Sequence, residues 1–97
     1  MTQFASIPAV IEALKQGRMV VLVDDEDREN EGDLVMAAEF ADVRSIAFMA
    51  TKGCGLICLA IRPERALRLG IALLNSSSEH QSGRPFGQSI ESREGVS

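Results

Sequence analysis

Ten consecutive positions, Asp24-Asp25-Glu26-Asp27-Arg28-Glu29-Asn30-Glu31-Gly32-Asp33, hold seven carboxylates and one arginine. Two like charges about 4 Å apart repel by about 1 kcal/mol in water, and by about 4 kcal/mol at an effective dielectric of 20. A loop this dense in one sign needs an offset, either full solvation or a bound cation. Carboxylate oxygens are hard donors, suited to Mg²⁺ or Ca²⁺ rather than to softer metals. An EF-hand is excluded. Glutamates stand where that loop needs short aspartates, and its twelfth position, counted from Asp27, is Ala38. Mg²⁺ held by one or two carboxylates plus substrate oxygens fits better. Arg28, the loop's single cation, presents a planar fork able to grip a phosphate or a carboxylate. Gly32 permits a tight turn before the next element. The plain alternative is a solvated acidic turn in which Arg28 makes local ion pairs. The loop alone does not separate the two.

Other chemistry-bearing residues are few. Cys54 and Cys58, four positions apart on a strand, would lie roughly 13 Å from each other. A disulfide needs Cα atoms within about 7 Å, so both read as reduced thiols of a cytosolic protein. His80 stands alone in a polar stretch and reads as an exposed loop residue. Asn75-Ser76-Ser77 matches a glycosylation sequon, which matters only in a secreted protein.

The elements that must position the acidic loop can be read from periodicity. Ser6 can cap a helix with Pro8 in its first turn, and Ile7, Val10, Ile11 and Leu14 share one face until Gly17. Met19 to Val23 and Leu34 to Ala38 are strand-length apolar runs flanking the loop. Asp42 can cap a second helix, with Val43, Ile46, Ala47 and Ala50 on one face and Gly53 at its end. Gly55 to Ile61 is a third apolar run. A short helix opens at Arg62-Pro63 and closes at Gly70. Residues 75–85 form a polar loop, and Pro85 to Ser92 a last strand. This alternation predicts an α/β, or mixed α+β, fold: a layered α-β-α sandwich around a mixed sheet. Three runs read as buried on both faces, and only three short helices are available to cover them. The sandwich is therefore expected to be incomplete in this chain, which reads as a fragment or as a chain completed by a partner.

Composition bounds the function. The 97 residues suit one small domain, and 45% apolar content excludes a disordered chain. Trp and Tyr are absent and Phe numbers four, which argues against aromatic stacking of bases. The formal charge of −4 is concentrated: residues 24–33 carry −6, and the remainder has nine cations against seven anions. No basic stripe exists to bind nucleic acid. No signal peptide is visible, and no apolar run approaches the roughly 20 residues of a membrane span.

Val21-Leu22-Val23-Asp24-Asp25-Glu26-Asp27-Arg28-Glu29-Asn30-Glu31-Gly32-Asp33-Leu34 closely resembles the signature of 3,4-dihydroxy-2-butanone-4-phosphate synthases. Ile11-Glu12-Ala13-Leu14 with Gly17-Arg18 is similar to the family's opening helix. Phe48-Met49-Ala50-Thr51 followed by Gly53-Cys54-Gly55-Leu56-Ile57-Cys58 resembles its second block, and Ser89-Ile90-Glu91-Ser92-Arg93-Glu94-Gly95-Val96 its third. The resemblance covers almost the whole chain and makes residues 1–97 the N-terminal portion of one such domain. It implies a lyase of riboflavin biosynthesis. The enzyme converts D-ribulose 5-phosphate to 3,4-dihydroxy-2-butanone 4-phosphate and formate. It uses Mg²⁺ (or Mn²⁺) and acts as a cytoplasmic homodimer with sites near the subunit interface. Carried over by position, Arg28 and Glu29 contact the sugar phosphate, Glu29 is a metal ligand, and Asp33 binds substrate hydroxyls. Glu31, as a catalytic group, and Asp24, on the substrate side, belong to the same acidic wall. Cys58 matches a cysteine near the site and is counted with Glu31 among the catalytic residues.

The sequence also departs from the family pattern. The resemblance implies a metal-ligating histidine, an Arg and a Thr that grip the phosphate, and a late proton-transferring glutamate, all beyond the Arg-Glu-Gly-Val block. None is present here, and His80 precedes that block. Lys52 stands where many members have histidine, and residues 75–88 differ from the usual form. Two alternatives follow. The chain is a non-catalytic module that binds a divalent cation or a partner through its acidic loop, or it is the front of a bifunctional protein carrying a GTP cyclohydrolase II domain.

Overall fold

The computed structural model describes residues 4–74, 86–91 and 93–94. The chain divides into two compact units, Met1–Leu59 and Ala60–Ser97.

The first unit opens with helix α1 (Ile7–Lys15). Its start follows from Ser6, whose hydroxyl accepts the Ala9 N–H at 3.3 Å, and from a proline in the first turn that has no N–H to satisfy. Its end follows from Gly17, at φ +81°. There the Gly17 N–H reaches the Leu14 carbonyl at 3.1 Å and the Arg18 N–H reaches Ala13 at 2.9 Å. Those two bonds form the Schellman pattern, which requires a left-handed residue at this position. Strands β1 (Val20–Val23) and β2 (Gly32–Val35) pair antiparallel, with Val20 opposite Val35 and Val23 opposite Gly32. The acidic loop is thus the connection of a β-hairpin. A 3-10 turn (Ala38–Phe40) follows, and its Phe40 ring lies against Gly17, where an added Cβ would meet Phe40 Cγ at 3.1 Å.

Helix α2 (Val43–Phe48) begins at Asp42 in a reciprocal capping box. The Ser45 N–H donates to Asp42 Oδ1 at 2.8 Å and the Asp42 N–H to Ser45 Oγ at 2.9 Å. These bonds hold the Asp42 carboxyl below the usual value near 3.8, the Ser45 backbone bond being the largest cause. The helix does not run evenly to Gly53 as the periodicity suggests. It widens into a π-helical turn (Met49–Gly53), in which the Thr51 hydroxyl donates back to the Ala47 carbonyl at 2.8 Å. The wider turn moves the stop by one residue. Cys54, at φ +58°, takes the left-handed position expected of Gly53. The π turn packs on β2, and a Cβ on Gly53 would meet Leu34 Cδ1 at 3.2 Å.

The apolar run from Gly55 forms no strand, because extended backbone becomes a strand only beside a hydrogen-bonding partner and the hairpin's ladder takes up no third member. In the second unit, helix α3 (Pro63–Leu69) ends at Gly70, φ +73°, with the Ile71 N–H on the Ala66 carbonyl at 2.9 Å. An isolated antiparallel bridge joins Leu73 to Gly87, with the Leu74 N–H on the Phe86 carbonyl at 2.8 Å. This bridge is what remains of the expected last strand; its ends at Pro85 and Ser92, the polar loop 75–85 with His80 and the sequon, and Gly95–Ser97 lie outside the described residues.

The protein is a mixed α/β chain whose sheet has two strands. No described residue is buried. Val21 is 62% exposed and Leu22 47%, so neither face of β1 is sealed. Among the described residues, the expected double covering of the strands is not supplied.

Candidate functional site: an acidic hairpin turn

The hairpin decides where the carboxylates go. In the register of the sheet, Val23 faces Gly32, so the next pair outward is Asp24 and Glu31. The Asp24 N–H donates to the Glu31 carbonyl at 3.3 Å and continues the ladder by one bond. Beyond it the chain turns through residues 26–29, closed by the Arg28 N–H on the Asp25 carbonyl at 3.0 Å. Asn30 sits at φ +53°, a left-handed conformation that asparagine tolerates better than most residues.

The sequence-predicted residues take three kinds of place. Arg28, Glu29 and Glu31 lie on the turn, all exposed. Arg28 Nη2 stands 3.6 Å from Glu29 Oε1, with the two side chains 62% and 40% exposed. An ion pair this open is worth about 0–1 kcal/mol, so it restrains the Arg28 guanidinium only weakly. Asp33 lies on β2 opposite Leu22, exposed on the sheet face away from Leu34. Asp24 differs from the rest: it alone among positions 24–33 is half-buried. Its carboxylate accepts the Glu29 N–H at 3.0 Å and the Glu31 N–H at 2.8 Å. Sequence reasoning placed Asp24 in the acidic wall without seeing these bonds. The signal for them was its spacing of five and seven residues from the two amides across a hairpin. Cys58 is an exposed free thiol in the irregular stretch after the π turn, as is Cys54, whose thiol donates to the Thr51 carbonyl at 3.3 Å.

The donor set of the turn is carboxylate oxygen throughout, which fits a hard divalent cation. Among the described residues, no group of three or more His, Cys, Asp or Glu side chains is gathered as a metal cage. The turn thus offers individual hard ligands and one guanidinium, not a closed coordination sphere.

Fold and turn together define a mixed α/β protein that presents an oxygen-rich acidic hairpin with a phosphate-competent arginine at its tip. Residues 8–97 match the family described as 3,4-dihydroxy-2-butanone 4-phosphate synthase. The chain is 48% identical over 87 residues to the enzyme of that name from Photobacterium phosphoreum, covering 90% of this chain and 24% of the relative. It is 47% identical over 91 residues to that of Pseudomonas aeruginosa, covering 94% and 25%. A riboflavin biosynthesis protein of Aquifex aeolicus is 46% identical over 89 residues, covering 92% and 22%. The crystal structure of a two-domain 3,4-dihydroxy-2-butanone 4-phosphate synthase from A. baumannii superposes with a TM-score of 0.72 at 39% identity, covering 84% of this chain and 24% of that one. The chain belongs to the 3,4-dihydroxy-2-butanone 4-phosphate synthase family, and it spans about a quarter of the length of these relatives.

Proposed function

We propose that this chain supplies the acidic half of a site that converts D-ribulose 5-phosphate to 3,4-dihydroxy-2-butanone 4-phosphate and formate. The observation that carries the reading is the hairpin turn itself. It sets one guanidinium and one carboxylate side by side at Arg28 and Glu29, in an exposed ion pair at 3.6 Å. Arg28 binds the phosphate as a planar fork. Glu29 contacts the sugar phosphate and provides one hard ligand to Mg²⁺ (or Mn²⁺), which accepts one or two carboxylates with water and substrate oxygens. The metal, when bound, polarises carbonyl and hydroxyl oxygens of the sugar. Asp33 binds the substrate hydroxyls, and Glu31 moves protons during enediol formation. Cys58 stands near the substrate and Asp24 at the base of the acidic wall. The working enzyme is a cytoplasmic homodimer, in which a second chain covers apolar surface left open here. Among the described residues no helix is long and apolar enough to cross a membrane.

The test is ligand perturbation by NMR. Mg²⁺ with ribulose 5-phosphate is expected to shift the signals of Arg28, Glu29 and Asp33 together. Shifts with Mg²⁺ and none on adding the sugar would instead identify a cation-binding module.

A further inference from the structure

We propose that Asp24 is a positioning residue of the acidic turn: its two carboxylate oxygens, one on the Glu29 amide and one on the Glu31 amide, set the directions in which those two glutamates leave the backbone. The proposal deepens the functional reading above, since the side chains so aimed are the metal-binding and proton-transferring groups assigned there.

Three features of the turn carry it. First, the hydrogen-bond ladder is diverted at this residue. The Asp24 N–H still reaches the Glu31 carbonyl, but the Glu31 N–H goes to Asp24 Oδ1 at 2.8 Å, within the short range of charge-assisted bonds. The side chain thus takes the amide that closes the Asp24–Glu31 pair. The Glu29 N–H, at 3.0 Å, takes the other oxygen. Second, fixing the amides of Glu29 and Glu31 to one rigid carboxylate constrains the residue between them. Asn30 accordingly adopts φ +53°, which swings Glu31 away from the path an extended chain would give it. Third, Asp24 is the half-buried member of an otherwise exposed run, as a group turned inward to the backbone must be.

The residue type matters. A carboxylate has two acceptor oxygens and no donor, so it satisfies two separate N–H groups at once. Asparagine in its place has one acceptor oxygen, and its NH₂ would confront the second amide donor-to-donor. Glutamate's extra methylene would carry both oxygens too far from the turn.

The experiment uses the isotopically labelled 97-residue chain, free of metal, as wild type, Asp24→Ala, Asp24→Asn and Asp25→Ala. Asp25→Ala removes the same charge one position away. In Asp24→Ala, the amides of Glu29 and Glu31 are expected to exchange with solvent about tenfold faster or more, the loss of a bond to a charged acceptor. Asp24→Asn should release one of the two amides and keep the other. Asp25→Ala should leave both as in wild type. Signals of Val21 and Leu34 report whether the hairpin persists; should Asp24→Ala lose it, the two amides of Asp24→Asn decide the matter. Added Mn²⁺ then reads positioning. Its relaxation effect should concentrate on Glu29 and Glu31 in wild type and Asp25→Ala, and lose that focus in Asp24→Ala. Unchanged exchange at both amides in both Asp24 variants overturns the proposal. Amides that respond as stated, with Mn²⁺ affecting none of the four proteins, sustain the positioning role and sink the functional reading on which it was built.

Discussion

Glu29 and Asp42 are both exposed carboxylates, yet their surroundings give them opposite uses. Asp42 is committed to its own backbone: its carboxylate accepts the Ser45 N–H, and its acidity is strengthened by that bond. A folded-state value below the unfolded one stabilises at pH above the ordinary carboxylate value, and that stabilisation disappears as pH falls through the lowered one. The first turn of α2 should therefore hold at neutral pH and loosen only at and below about 3.8, the ordinary value. The pH dependence of the Ser45 amide shift measures this, and Asp42→Ala should abolish it. Glu29, on the open turn, is set against Arg28 at 3.6 Å. Glu29→Gln is expected to weaken Mn²⁺ binding by at least about tenfold, the loss that even an outer-sphere partner's removal causes. Titration of Mn²⁺ by electron paramagnetic resonance checks it. At this scale the sequence was informative about residue type and silent about direction. Seven carboxylates in ten positions announced a cation or a solvated turn, but only the hairpin shows Asp24 facing the backbone while Glu29 stays exposed beside Arg28.

The elements show where local signals suffice. Ser6, Asp42, Gly17 and Gly70 mark helix ends in the sequence and in the structure, because a cap or a left-handed glycine satisfies backbone groups within a few residues. Gly17 and Gly70 nonetheless differ in their surroundings. An alanine at 70 meets open space and costs about 1 kcal/mol of backbone strain. An alanine at 17 adds a Cβ 3.1 Å from Phe40, so Gly17→Ala should loosen α1 more than Gly70→Ala loosens α3. Amide exchange of Gln16 and Leu69 in the two variants compares them directly. The Gly55–Ile61 run shows where local signals fail. Apolar composition makes a segment competent to pair, but pairing needs an open edge, and that is a property of the neighbours.

For the whole molecule, the decisive fact is the absence of any buried residue among those described. Fully burying a Val, Leu, Ile or Phe side chain stabilises by about 1.5–3 kcal/mol, and side chains such as Val21, Val23, Leu56 and Leu67 withhold much of it. A two-stranded hairpin is marginal in water without further packing. The isolated chain is expected to unfold over a broad temperature range without a sharp calorimetric peak, and to bind an apolar dye. A sharp, dye-silent transition would show that these faces are covered by self-association. Formate release from ribulose 5-phosphate by this chain alone should be slight, since no group of three or more His, Cys, Asp or Glu side chains is gathered around a metal position among the described residues. A coupled formate assay checks this, and robust turnover would show that the hairpin needs no further groups.

By itself, the sequence determined the family, the mixed α/β class, the helix caps and the chemical character of the acidic loop. Each rests on residue type and short spacing, which act within a turn or two of the backbone. The tertiary structure decided that the loop joins a hairpin, that Asp24 turns inward, that a π turn moves a helix stop onto Cys54, and that the third apolar run stays unpaired. Those outcomes depend on which backbone groups meet across space, and no local pattern encodes a partner that lies elsewhere in the chain or in another.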